Sequence, residues 1–185
     1  MTTWLIGFAS AIALWLSFAP FQLWPIAWIA TAGWCWLVAQ PQWRVSKPYR
    51  LVYSVGLIHW LLVMQSVRLP HWSAYFGWVA LAAYLAIYVP LFVGLSRVLV
   101  HQRSWPLCFA CPIVWTGLEV FRSYFLSGFA LTLLGHTQFE APTIIQVADL
   151  GGAYAVGFLL ILVAASVVQI LRIGDVARSL QSTGV

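Results

Sequence analysis

A chain of 185 residues, 63% hydrophobic and only 7% charged, with a mean hydropathy of +0.91, is excluded as an ordinary soluble domain. It reads as an all-α integral membrane protein. The formal charge of +5, from nine Lys and Arg against four Asp and Glu, is carried by loops between apolar runs, so it indicates contact with a membrane leaflet and gives no support for nucleic-acid binding.

Taken in order, the apolar runs predict a polytopic bundle of about six transmembrane helices. Trp4 to Phe18 is a short first span. It follows Met-Thr-Thr without a basic leader or a small-residue cleavage site, so a cleaved signal peptide is not expected. Pro20 and Pro25 bracket a tight turn, Trp24 and Trp28 lie at interfacial depth, and a second run to Ala39 completes a hairpin. Gln40 to Arg50 is a polar loop. A third span fits Leu51 to Val67 and is closed by Arg68-Leu69-Pro70-His71, and a longer fourth runs from Trp72 to Val100. Pro90 predicts a kink there, since proline lacks the N–H that would bond the carbonyl four residues back. The fifth span covers Trp105 to Leu126, Gly128 to Pro142 reads as an extended or re-entrant outer loop, and the sixth runs from Thr143 to Leu171. Its Gly151-x-x-x-Ala155 and Ala153-x-x-x-Gly157 spacings invite close backbone approach. This gives a transmembrane domain over 1–171 and a short, frayed cytoplasmic tail over 172–185.

Orientation follows from the cations. With the N-terminus inside, Arg44, Lys47, Arg50, Arg97, Arg103, Arg172 and Arg178 all fall on the cytoplasmic side, against Arg68 and Arg122 on the outer side. The expected topology is N-in and C-in.

Two ions lie deep in apolar sequence. A charge at the centre of a membrane helix costs roughly 2.5 to 3.5 kcal/mol on insertion scales, so one retained there faces protein or a wet cavity. Glu119 and Arg122 share a helix face three residues apart. They are either a structural ion pair, or Arg122 holds a lipid phosphate near the outer surface. Cys35, Cys108 and Cys111 lie in apolar runs and read as small hydrophobes. His59, His71, His101 and His136 lack the spacing of a metal site, and His136 alone, in the outer loop, is a functional candidate. The 12 tryptophans read chiefly as interfacial anchors, with a groove lined by Trp60, Trp72, Trp78 and Trp115 as the minority alternative.

The run of Trp115, Glu119 and Arg122, followed by Gly128-Phe129-Ala130-Leu131 and Leu134-Gly135-His136-Thr137-Gln138, resembles the membrane region of the bacterial apolipoprotein N-acyltransferases. That family carries Gly-Phe-Pro-Trp and Leu-Gly-Tyr-Ser-Gln at these places, so the chain departs at Ala130, Leu131, His136 and Thr137. Ile145 to Leu150 with Gly151, Gly152, Tyr154 and Phe158, the hairpin around Leu16 to Pro25, and Leu81 to Leu85 with Tyr88, Leu91 and Phe92 extend the resemblance over most of residues 5 to 171.

The resemblance implies a bacterial inner-membrane protein of lipoprotein maturation. In such an enzyme a nitrilase-like Cys, aided by a Glu base and a Lys, moves an acyl group from phospholipid to the N-terminal Cys of a diacylated lipoprotein. The single lysine, Lys47, lies in an inner loop, and no cysteine reaches the outer face. No Glu-Lys-Cys set can be assembled. The expectation is therefore the membrane region alone, truncated or one half of a split enzyme and inactive by itself, with no catalytic residue, metal or cofactor of its own. Its implied partners are phospholipid, a diacylated lipoprotein and a separate nitrilase-like domain. Lipid or structural candidates are Trp115, Glu119, Arg122, Gly128, Phe129, Gly135, His136 and Gln138. The alternative is a non-enzymatic module that binds lipid or transports a small solute.

Overall fold

A computed structural model describes residues 2–43, 45–69, 71–126 and 128–182. Arg44 and Pro70, and the side chain of Arg178, lie outside what is described. The described residues are helical, with no strand among them. The first hairpin is α1 (Thr2–Ser17), a 3₁₀ turn at Trp24–Ile26, then α2 (Ala27–Ala30) and α3 (Ala32–Ala39). Helix α4 (Pro48–Val63) starts with proline at its first position, where the missing N–H costs nothing, and closes in a 3₁₀ turn at Gln65–Arg68.

Where Pro90 predicts a kink, the helix is interrupted. Helices α5 (Ala74–Ala86) and α6 (Tyr88–Arg97) meet at Ile87, between Pro90 and the Ala86 carbonyl that its ring cannot bond. The stretch ends in a π-turn at Val98–Gln102. Helix α7 (Leu107–Tyr124) holds the buried ions. A 3₁₀ turn at Leu134–Gln138 and the short α8 (Pro142–Ile145) lead to α9 (Ala148–Ser182). The sixth helical run differs from expectation in two ways. It bends at Gly151 and Gly152, the latter at φ +66°, a left-handed conformation open to glycine at little cost. Beyond Leu171, where fraying is expected, the backbone stays helical to Ser182.

Two helical stretches, Ala74–Gln102 and Ala148–Ile173, are long and apolar enough to cross a membrane; Leu5–Ser17 and Trp24–Ala39 are shorter apolar helices. Leu5, Ile29, Phe76, Phe109, Phe121 and Ile170 turn outward on several helices, which is costly in water and ordinary in lipid. The fold is thus consistent with a membrane helical bundle. Its centre is built from Trp34, Leu37, Phe92, Leu160 and Ile161, all essentially inaccessible, with the Trp34 indole N–H donating to the Gly7 carbonyl at 3.2 Å. Helix α9 packs chiefly along α7, α1 against α3 and α4, and α4 against α5 and α6.

Candidate functional site

Spacings of four and three put Trp115, Glu119 and Arg122 on one face of α7. That face looks into a narrow cleft enclosing about 510 Å³ of empty space, mouth included. Its walls come from α1 (Leu14, Phe18), α3 (Trp34), α4 (His59, Trp60), α6 (Tyr88, Val89, Phe92) and α7 (Trp115, Leu118, Glu119, Arg122), with Thr132 and Leu134 from the loop after α7. The rings interlock. Trp115 meets Phe92 edge-on at 5.1 Å and tilts against Trp34 at 5.8 Å, and His59 stands edge-on to Trp34 at 5.6 Å.

Both ions are buried, at 4% exposure each. Their pairing is looser than the sequence suggests: an Arg122 nitrogen approaches Glu119 Oε1 to 3.8 Å, an ion pair outside hydrogen-bond range. Oε1 instead accepts the backbone N–H of Leu134 at 2.8 Å, which pins the loop onto α7. The guanidinium lies between two rings, 5.0 Å from the Trp60 centroid and 5.7 Å from that of Phe129. Arg122 Nη1 and Glu119 Oε2 have no hydrogen-bond partner among the described residues. A buried guanidinium with unused N–H groups, held among aromatic faces, is suited to a carboxylate or phosphate.

The loop over the cleft is fastened at each step. Gly128, at φ +72°, turns the chain so that Phe129 N–H returns to the Arg122 carbonyl at 3.0 Å. Gly135 passes so close to α9 that a Cβ there would stand 2.1 Å from the Ala153 carbonyl oxygen. The predicted small-residue face of α9 is therefore the bed of this loop, and Gly157 on the same face leaves room for Glu119 Oε2. Gln138 is fully buried and its amide donates to the Trp24 carbonyl at 3.1 Å, tying the loop to the first hairpin. Thus Trp115, Glu119, Arg122, Phe129, Gly135 and Gln138 converge on one cleft and its roof. His136 is exposed and is not among the residues that line the cleft, although its ring is near enough to Arg122 to feel the guanidinium charge.

The tryptophan groove is half right. Trp60 and Trp115 line the cleft, but Trp72 is 70% exposed. The Trp78 N–H donates to Leu61 O, and its ring carries Arg68 at 5.5 Å. Two wall residues escape sequence reasoning. His59 is buried, with Nδ1 3.3 Å from the Ala11 carbonyl, so Nδ1 holds the hydrogen and Nε2 is left as an acceptor. Tyr88 shares its hydroxyl with Tyr84 at 2.9 Å. A polar ring inside the apolar run of α4 is the same signal that exposes Glu119. Among the described residues no cluster of metal-binding side chains is present. Cys35 and Cys111, far apart in sequence, are buried in the same core cluster.

Comparison with known proteins adds the remaining evidence. Residues 10–166 match the apolipoprotein N-acyltransferase N-terminal domain. The chain is similar to the apolipoprotein N-acyltransferases of Rhodopirellula baltica (37% identical, 95% of this chain and 33% of the relative) and Geobacter metallireducens (32% identical, 95% and 34%). That of Haemophilus ducreyi is 28% identical over 85% of this chain and 31% of its own length. The chain spans about a third of the length of the curated relatives it matches. Every residue that lines the cleft falls inside the matched residues.

Proposed function

The chain belongs to the apolipoprotein N-acyltransferase family, and on that premise we propose that it is the membrane portion of such an acyltransferase in the bacterial inner membrane. Six spans with both ends cytoplasmic carry the cleft. In it, Arg122 receives the phosphate of a phospholipid acyl donor or the headgroup end of a lipoprotein, while the rings of Trp60, Trp115 and Phe92 flank the chain below. The chemistry falls to a nitrilase-like domain, in a longer chain or a separate one, that passes the acyl group to the N-terminal Cys of a diacylated lipoprotein.

The observation that carries this reading is the unused Nη1 of a buried Arg122 in an aromatic cleft within the family-matched residues. It is tested in a chimera in which residues 10–166 replace the matching stretch of the Geobacter metallireducens relative. Acylation of a diacylated lipopeptide should survive, and Arg122→Gln should raise the KM for phospholipid about tenfold or more, the worth of one charge-assisted hydrogen bond, with a smaller change in kcat. A folded chimera without turnover, or an unchanged KM, overturns the proposal. The 185 residues alone, given the same substrates, should transfer no acyl group. A reporter fused after Val185 should report from the cytoplasm.

A further inference from the structure

The end of the bundle where α3 stops carries a second polar construction. Arg97 reaches across from α6 and donates from Nη1 to the carbonyls of Leu37 (3.1 Å), Val38 (3.4 Å) and Gln40, and from Nη2 to Pro41 O (3.1 Å). Its guanidinium lies 4.5 Å from the Trp43 ring centroid, and Trp43 in turn meets Tyr49 at 5.5 Å. Pro41, Gln42, Trp43, Pro48, Tyr49 and Arg97 line an open cleft of about 620 Å³. Lys47 and Arg50, both exposed, flank Pro48 and Tyr49.

The hydrogen-bond acceptors of Arg97 among the described residues are neutral backbone carbonyls, with the Tyr49 side chain close by. The C-terminal dipole of α3 offsets part of its charge, about half an elementary unit at most. Among the described residues no carboxylate pairs with Arg97 to offset the rest, and the sequence is poor in acids on this side of the chain: its first is Glu119, while six of the nine cations precede it. A fixed guanidinium with no carboxylate partner among the described residues, beside two exposed cations and an interfacial Trp–Tyr pair, has the chemistry of a phosphate site at a membrane surface.

We propose that this cleft binds the phosphate headgroup of an anionic phospholipid, as a second lipid site separate from the Arg122 cleft and outside the acyl-transfer reaction. Arg97 sets the charge of the site, Lys47 and Arg50 donate to the phosphate, and Trp43 and Tyr49 lie at the level of the glycerol backbone. The assignment to the inner leaflet rests on the proposed topology; the binding itself does not.

The test is native mass spectrometry of the full chain released from nanodiscs of phosphatidylcholine mixed with phosphatidylglycerol, reading which lipid is retained. Wild type should retain phosphatidylglycerol selectively. Lys47→Gln and Arg50→Gln should each reduce that retention about fivefold, the effect of one cation near an anionic surface. Both variants leave the Arg97 clamp intact, so the fold is preserved. Arg68→Gln, which removes the same charge elsewhere, should leave retention unchanged, and Arg122→Gln should lower total bound lipid without changing the preference for phosphatidylglycerol. Equal retention of the two lipids, equal loss in Arg68→Gln, or loss of the preference only in Arg122→Gln overturns the proposal. Displacement of the lipid by inorganic phosphate would assign the site to free phosphate and overturn the lipid as occupant. A reporter after Val185 on the periplasmic side would sink the topology while leaving the retention result standing.

Discussion

Arg122 and Arg97 lie against tryptophan rings at nearly the same distance, 5.0 and 4.5 Å, yet they are used in opposite ways. Arg97 is partly exposed and saturated with backbone carbonyls, so it ends a helix and fixes the loop after it. Arg122 is buried, has a distant carboxylate and keeps an unpartnered nitrogen. The difference lies in what the neighbours offer. Four carbonyls at the end of α3 engage both Nη atoms of one guanidinium, whereas around Arg122 the walls are rings and the one carboxylate is committed to Leu134. A saturated arginine organises backbone, and an undersaturated one is left able to bind.

The largest effect should come from breaking the Arg122 end. Removing one member of a buried ion pair costs on the order of 3 to 5 kcal/mol, because the partner charge is stranded. Glu119→Ala also strips the Leu134 N–H of its acceptor, so it should reach that range, read as loss of folded yield and of melting temperature in detergent. Glu119→Gln keeps an oxygen for Leu134 and should cost less. Arg122→Gln with Glu119→Gln should recover part of the summed loss, since the two groups couple. Additive losses in the double variant would leave two independent polar contacts and no pair.

What the sequence discloses of these two ends differs for a physical reason. Glu119 and Arg122 stand out because a charge in an apolar run needs a partner or a cavity, and the Pro90 kink because proline removes a donor. The clamp at Arg97 is silent: its acceptors are backbone carbonyls about 60 residues away, which every sequence has. His59 is passed over because it is weighed only as a metal ligand, when burial was the informative question. Gly151 reads as a packing residue and Gly152 only as part of the resemblance, whereas the bend they permit requires backbone angles that spacing does not encode.

Next in size is the roof of the cleft. In Gly135→Ala the added methyl would fall 2.1 Å from a backbone oxygen of α9, which cannot move aside as a side chain would. Overpacking of this kind costs about 1 to 3 kcal/mol. The upper end is expected here, with lipid binding at the Arg122 cleft weakened as the roof lifts. A Gly135→Ala protein that melts like wild type would show that the loop is not held against α9. The Arg97 end should respond somewhat less. Arg97→Gln removes several charge-assisted bonds of about 1.5 to 3 kcal/mol apiece in buried settings. Partial exposure lets water take over some of these carbonyls, so a net loss of about 2 kcal/mol is expected. Arg97→Lys should recover little, because an ammonium cannot span four carbonyls as the planar fork does.

The smallest effect separates the charge of the clamp from its hydrogen bonds. His101, one turn beyond Arg97, donates its Nε2–H to Val38 O at 2.8 Å, the same carbonyl that Arg97 reaches at 3.4 Å. A single exposed bond of this type contributes about 0.5 to 1.5 kcal/mol. In His101→Ala the Val38 carbonyl keeps Arg97, so the cost should sit near the lower figure and the melting temperature should barely move. With Arg97→Gln already in place, the same substitution strips Val38 of its last side-chain donor and should cost distinctly more than it does alone. That surplus measures how far the two donors stand in for one another. If His101→Ala costs the same in both backgrounds, water rather than Arg97 satisfies the end of α3, and the contrast between a saturated and an undersaturated arginine loses its first member.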